Sequence, residues 1–545
     1  MSEYVRRFVG PLSGVWRVEK ADDDYVVHFP NGGSRRIGNS STHWDETFPT
    51  DHVTSTLWFQ SLTYAPYFFL DHGDWETTAH VFSSYASHLR ALRGSDGYQP
   101  INSLDHAHAT QLLAACATMA VVRDRGVVEE RGAVLVDFVE AVADSAMSAG
   151  MIRHNNHGVM LTRALAHVGH VFDGFAGVAR ECGIRGAREF DAIVGGAFDA
   201  DAIVNENTPA YQILWLRLIE TMADFTELIG DPSQFVEKWR ALLERGKASL
   251  GLQLMPGNRV PPIGDDAGGT SPYRSMDGEL LSPGNGLYVF KDDDFYVSIT
   301  SGYRGVVHKH VDDTSIRLQV RGQDLLIDAG LLNYDVGDAV GVSVVSQRGH
   351  TGLYFPRFDH LRSLDMFAAK PPRQESSLLV REGQGGSQEY ECRYVVDGSY
   401  HALRRYTRHG NHIFLIEDAF DAPGGEVAVQ RYLLPKEAQL RFHGSTLTAR
   451  FEGVELLLRF DETATVAVFN GGEGSAPKGW RAARHYEPER CWCVEVEPPA
   501  GARAMRASLT VVADGEGPAA DVVETFWARG RQATDRPCPS ADELV

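Results

Sequence analysis

Cysteine is scarce in these 545 residues: six in all, at Cys116, Cys182, Cys392, Cys491, Cys493 and Cys538. So low and scattered a set does not suggest a disulfide scaffold. Cys491-Trp492-Cys493 puts two thiols on one strand face, but no second close pair completes a four-cysteine zinc site. The thiols read as reduced core or surface residues, in keeping with a cytoplasmic protein. Also missing is any apolar run of the roughly 18 residues that a membrane span needs. No apolar core follows Met1-Ser2-Glu3-Tyr4-Val5-Arg6-Arg7, so the N-terminus does not read as a signal peptide. The cytoplasm is favoured, with the periplasm or secretion by another route left open. Positive charge is short as well, with 52 Lys and Arg against 73 Asp and Glu and a net charge of −21. That balance argues against nucleic acid as the main partner. No internal repeat or low-complexity tract is present.

What is there is the composition of a soluble globular protein, 43% hydrophobic and 23% charged. The length implies two or three domains. Residues 1–100 are mixed and aromatic-rich, with Trp44, Trp58, Phe59, Tyr64, Tyr67, Phe68 and Phe69 prominent and few long clean helices. From about 104 to 250 apolar residues recur at helical spacing, as in His106–Val122, Ala133–Met147 and Pro232–Leu250. Residues 256–285 are dense in Pro, Gly and Asp and read as a linker, in which Gly264-Asp265-Asp266 is best taken as a turn. Beyond 286 the period becomes two. Runs such as Leu287–Phe290, Phe295–Ile299, Val454–Phe460 and Leu509–Val512 alternate between turn residues. The expected fold class is therefore α+β and multidomain: a helical domain over 1–255, the linker, and an antiparallel β-sandwich over 286–545.

Three clusters carry the chemistry. His308-Lys309-His310-Val311-Asp312 precedes a strand-like run, and Leu325-Leu326-Ile327-Asp328-Ala329-Gly330 ends the next. Alternation along a strand would turn His308 and His310 to one face. A hairpin would bring Asp328 back beside His310. Upstream, His154-Asn155-Asn156-His157-Gly158 and Glu206-Asn207-Thr208-Pro209-Ala210-Tyr211 each open a helical segment. Asn155 and Asn156 suit helix capping, Glu206 and Thr208 suit first-turn chemistry, and Tyr211 could be a buried aromatic.

Taken together and in order, these motifs resemble those of the heparinase II/III-like polysaccharide lyases, a group of heparin/heparan-sulfate and alginate lyases. Asn-Asn-His-Gly is similar to that family's Asn-His substrate-carboxylate motif, and Glu-Asn-Thr-Pro-Ala-Tyr to its Glu-x-Ser-Pro-x-Tyr motif with the catalytic tyrosine. His308–Asp312 and Leu325–Gly330 look like the start of its C-terminal β-domain. A weaker match is Asp105-His106-Ala107-His108-Ala109-Thr110, similar to a helix-start element of its helical domain. The resemblance implies an (α/α)n toroid before the sandwich and β-elimination of a uronic-acid glycan, with Asn156, His157, Tyr211 and His308 catalytic. Substrate-binding candidates are Asn155, Glu206, Arg304 and Arg348. Arg153, His154 and Arg357 are further cations for an anionic sugar.

Abstracting the proton at C5 of a uronide requires the neighbouring carboxylate to be neutralised and a base to reach the carbon. Asn156 and His157 can donate to the carboxylate. Tyr211 can exchange a proton if nearby cations lower its pKa, and histidine has the natural pKa for the partner role. A separate His/Asp zinc site needs His310, Asp328 and a third ligand. Resemblance to the family's Ser-x-x-x-His-Asn segment implies His350 in Ser346-Gln347-Arg348-Gly349-His350-Thr351, with Thr351 where the family has Asn and His360 as fallback. In the family such a zinc is structural. No organic cofactor is expected, and an acidic polysaccharide or oligosaccharide is the expected partner. Two other readings stay open: a glycoside hydrolase using Glu206 with Asp265 or Asp266, and a non-catalytic protein that binds acidic glycans.

Overall fold

The computed structural model describes residues 1–9, 17–22, 24–29, 33–38, 44, 52–94, 104–230, 235–361, 374–383, 386–513 and 520–530. Cys538 and most of the C-terminal tail lie outside them. The chain divides into two compact units: Met1–Phe198 with Trp215–Leu243, and Asp199–Leu214 with Glu244–Val545. The first is helical and the second is dominated by antiparallel sheet, with helix ends at its start. No described helix is long and apolar enough to cross a membrane.

In the first unit, Leu104–Asp124, Val128–Ala146, Asn156–Val171 and Ala179–Ala197 are successive long helices. Their apolar stripes form the core; Leu112, Met119, Phe138, Leu161 and Leu165 are fully buried. A further helix, Trp75–Arg93, lies in the region that looked mixed. Its sequence is aromatic and His-rich, which blurs the apolar stripe. The N-cap is plain, since Asp74 accepts from the backbone N–H of Thr77 at 2.9 Å. The aromatics of this region mostly pack inward: Trp44 stacks on Phe59, and Tyr64, Phe68 and Phe69 are buried.

In the second unit a five-stranded sheet runs in the order Gln323–Leu326, Ser315–Val320, Phe295–Thr300, Leu287–Asp292, Gly278–Ser282. Phe295–Thr300 and Ser315–Val320 are buried at every position, so this sheet is covered on both faces. One face joins a large core with Tyr390, Tyr394, Tyr406, Phe414 and Leu458 of an eight-stranded sheet. The other packs on Ile203, Met255 and Ile263. The eight-stranded sheet and a four-stranded one, both antiparallel, complete the sandwich. Several of their strands, Gln388–Val396 and Tyr400–His409 among them, escaped the alternation test because their inward positions are polar or aromatic. Arg404, for example, is fully buried and bonded through two nitrogens to Asp418, at 2.7 and 2.6 Å. The second unit also includes Arg259–Val260 paired with Gly269–Thr270, within the stretch that read as a linker.

Among the described residues the five cysteines are buried and unbridged. Cys491 and Cys493 do share a face, packed with Ile327 and Leu433.

Candidate functional site

Each unit holds a polar cluster. In the first, Asn155 caps the helix Asn156–Val171, its side chain accepting from the N–H of Gly158 at 3.1 Å. The following glycine is a steric necessity, because a Cβ at Gly158 would lie 1.6 Å from the carbonyl oxygen of Arg153. His157 is thereby set at the helix mouth, where its Nδ1 meets Oδ1 of Asp105 at 3.1 Å. Asp105 is wholly buried and also lies 3.5 Å from Arg153. Burial works to raise its pKa, but the His157 bond and charge outweigh that and leave it lowered. The neighbouring His106, its ring 5.1 Å from that of His157, is pushed down to about 4 by burial. Asn156 is buried beside them in sequence.

The second unit holds the other candidates. His308 and His310 are separated by a turn rather than by strand alternation: the strand begins only at Ser315, and His308 has a left-handed φ of 57°. Strain of this kind in a non-glycine residue persists only where the surroundings over-determine it. Here they do. Asn207, itself at φ 60°, donates its side-chain amide to the carbonyls of Gly305 and Val307 at 2.6 and 2.8 Å. Behind the turn passes Gly264, at φ 65°, where a Cβ would lie 2.6 Å from the His308 carbonyl. Lys309, buried with Asp312 and Asp313, ties down the far side.

So held, the His308 ring stacks on Tyr211 with centroids 3.6 Å apart and planes 21° off parallel. Its Nδ1 lies 3.3 Å from Oε2 of the buried Glu206. The Tyr211 hydroxyl is 3.4 Å from that of Tyr334, and Tyr334 donates to Oδ2 of Asp265 at 3.2 Å. Burial raises the Tyr211 pKa, and the charge of Asp265 raises it further. The condition for easy proton exchange, a lowering by nearby cations, is not met: burial, and after it the acidic neighbours, keep the hydroxyl protonated.

His310 turns the other way. Its Nε2 meets Oδ1 of Asp265 at 3.0 Å, and its ring is 5.4 Å from His350. The expected hairpin is present, Ser315–Val320 pairing with Gln323–Leu326. It delivers Asp328 to His350, whose Nδ1 meets Oδ2 at 2.9 Å. Ligand atoms of His310, Asp328 and His350 all lie within 4.8 Å of one another, and all three residues are buried. His310 Nδ1 and His350 Nε2 are buried with no hydrogen-bond partner among the described residues. Burial lowers the His350 pKa, which favours the neutral ring that binds metals. Two bare imidazole nitrogens beside a carboxylate fit a divalent ion. Thr351, where the family has Asn, works as a strand tie, accepting from Leu433 N–H at 2.9 Å and donating to the Ile327 carbonyl.

Arg348 is buried and faces Asp359 at 3.7 Å within a charge network with Arg431. Arg304 is exposed. Arg357 pairs with Glu426 at 3.2 Å, and the exposed His360 lies 3.0 Å from the Arg357 carbonyl. Tyr334 carries no signal in the sequence. Asp265, by sequence a turn residue and one candidate hydrolase carboxylate, sits in a bend that aims its carboxylate at two partners, His310 and Tyr334.

Known proteins bear on these residues. The profile of the family described as heparinase II/III-like, C-terminal, matches residues 281–508. The matched segment contains His308, His310, Asp328 and His350, whereas Glu206 and Tyr211 precede it. In fold, the chain is similar to solved polysaccharide lyases. Heparinase III shares 12% identity, with 87% of this chain and 80% of that one covered and a TM-score of 0.69. A heparinase III described as the BT4657 gene product gives 13%, 86%, 80% and 0.63. The heparan sulfate lyase HepC from Pedobacter heparinus gives 12%, 90%, 81% and 0.59. No curated protein sequence matches the chain.

Asp266, next to the cluster, yields a pH prediction. Its carboxyl is pushed up to about 7 by burial, partly offset by the N–H of Gly268. The folded value lies above the unfolded one, so the native state holds its proton longer. Stability therefore falls as pH rises from about 4 to about 7, by about 1.4 kcal/mol per pH unit at most. Asp266→Asn mimics the protonated form. It should raise the unfolding temperature at pH 8 and have almost no effect at pH 4; a variant less stable at pH 8 contradicts the assignment.

Proposed function

We propose that this protein is a polysaccharide lyase that cleaves a uronic-acid glycan by β-elimination. The observation that carries the reading is the pre-formed pair of Tyr211 and His308, stacked ring on ring with Glu206 behind the imidazole. The heparinase II/III-like match and the lyase fold support it. His308 takes the C5 proton, and the electrons of that C–H bond form the C4–C5 double bond as the C4–O bond breaks. Tyr211, kept protonated by burial and by Asp265, gives its proton to the departing oxygen. Glu206 fixes the imidazole's orientation. Within the first unit, resemblance implies a carboxylate-binding role for Asn156 and His157, and Asp105 would hold that histidine in place.

His310, Asp328 and His350 would hold zinc, a metal suited to nitrogen and carboxylate donors, which would add folding energy where the hairpin ends. Asp265 is a poor hydrolase carboxylate, since both of its oxygens are engaged. Purified protein should be incubated with heparan-, chondroitin- and alginate-type uronides and bacterial capsule glycans. A rise in ultraviolet absorbance from the conjugated unsaturated product is expected with at least one. New reducing ends without that absorbance would mean hydrolysis instead, and no cleavage of any uronide would leave only binding.

A further inference from the structure

Among the described residues Asp265 is the carboxylate of the second unit that touches both halves of its polar cluster. One oxygen accepts from a histidine of the candidate metal site, His310, at 3.0 Å. The other accepts from Tyr334 at 3.2 Å, and the Tyr334 hydroxyl is 3.4 Å from that of Tyr211. Asp265 itself is 6% exposed, so water offers it little alternative. Its backbone is anchored too: its N–H reaches the His308 carbonyl at 3.3 Å, and its neighbour's carbonyl accepts from Leu331 at 2.8 Å. An unbroken path of contacts thus runs from His310 through Asp265 and Tyr334 to Tyr211. We infer that Asp265 is a positioning residue through which metal occupancy sets the placement of the Tyr334–Tyr211 hydroxyl pair.

The physical argument is that a carboxylate shared by two donors cannot move for one without moving for the other. With an ion on Nδ1, His310 is fixed in orientation and donates from Nε2, which holds Asp265 and so the acceptor of Tyr334. Without the ion the ring is free to turn or change tautomer, and Asp265 loses that constraint. The metal would therefore do more than pin strands: it would keep the proton donor on station. The consequence for catalysis rests on the lyase reading; the coupling itself does not.

The test uses the full chain labelled with 3-fluorotyrosine, with the fluorine signals of Tyr211 and Tyr334 assigned by their loss in Tyr211→Phe and Tyr334→Phe. Stripping the metal with a chelator should shift both signals, and returning zinc should restore them. In zinc-saturated Asp265→Asn neither signal should answer to the metal, and zinc affinity should fall about 10- to 100-fold in competition with a chromophoric chelator. Turnover at saturating zinc should stay about 10-fold or more below wild type with KM little changed. Tyr334→Phe cuts the path without touching the metal side, so it should keep zinc affinity within about threefold while the Tyr211 signal stops responding. Tyrosine signals indifferent to the metal in the wild type overturn the inference, as does full recovery of Asp265→Asn turnover with excess zinc. If no uronide is cleaved while the signals still respond, the lyase reading fails and the coupling stands.

Discussion

Tyr211→Phe should lower turnover on the responsive uronide by about 10²-fold or more while leaving the unfolding temperature almost unchanged. The two halves of that expectation come from different atoms. The ring, stacked 3.6 Å from His308, is what packs, and phenylalanine retains it. Among the described residues the hydroxyl has one side-chain hydrogen-bond neighbour, Tyr334 at a long 3.4 Å, so its removal strands no strongly bound partner. What is lost is the proton donor to the leaving oxygen. Burial and the negative neighbour Asp265 make that donor a weak acid in the free protein. Protonation of the leaving group would then be demanding at high pH only above the range of ordinary assays, and the alkaline limb of the rate profile should not belong to Tyr211. A variant within a few-fold of wild type would make Tyr211 a packing residue and remove the acid from the proposed mechanism.

How far the sequence could be read depended on whether each residue's position followed from its own segment. The candidate metal cluster was legible in part because a hairpin's return path is local: Ser315–Val320 and Gln323–Leu326 bring Asp328 back by pairing, whereas His350 came from the family resemblance alone. Helix mouths were legible for the same reason, as with Asn155 capping its own helix. Asp265 and Tyr334 were not, since they meet partners 45 and 69 residues away from within turns. A turn's composition reports that the chain bends, not where the bend points. His308 shows the limit most clearly. Strand alternation gave a reason for it to share a site with His310, yet its left-handed φ of 57° sends the two rings to different partners. The signal available was Gly264, whose missing side chain makes room for the His308 carbonyl, but nothing local links positions 264 and 308. The condition set for Tyr211, a pKa lowered by cations, fails for a related reason. Arg348, one of the cations in the sequence, is buried against Asp359, while Tyr211 is governed by its burial and then by the carboxylate of Asp265, neither of which is local.

The two histidines should therefore fail in different ways when replaced. At position 308 the backbone is left-handed, so asparagine, which tolerates that conformation, is a cleaner substitute than alanine. His308→Asn should abolish cleavage, because it removes the base, yet retain bound metal and an unfolding temperature near wild type. His310→Ala and Asp328→Ala should instead lose the metal. Each also leaves a buried partner unpaired, Asp265 in the first case and His350 in the second. Leaving a buried polar group without its partner costs about 1–3 kcal/mol, more where the group is charged, and loss of a structural metal adds to it, so the unfolding temperature should fall by on the order of 10 °C. Activity would fall in these variants as well, but indirectly, through loss of the shared carboxylate's orientation. Elemental analysis and melting curves of the three variants beside the parent separate the two outcomes. Metal lost from His308→Asn would merge the two sites into one. A parent protein purified without chelators and carrying no stoichiometric metal would discard the zinc assignment, while the Tyr211–His308 pair would stand on its own geometry.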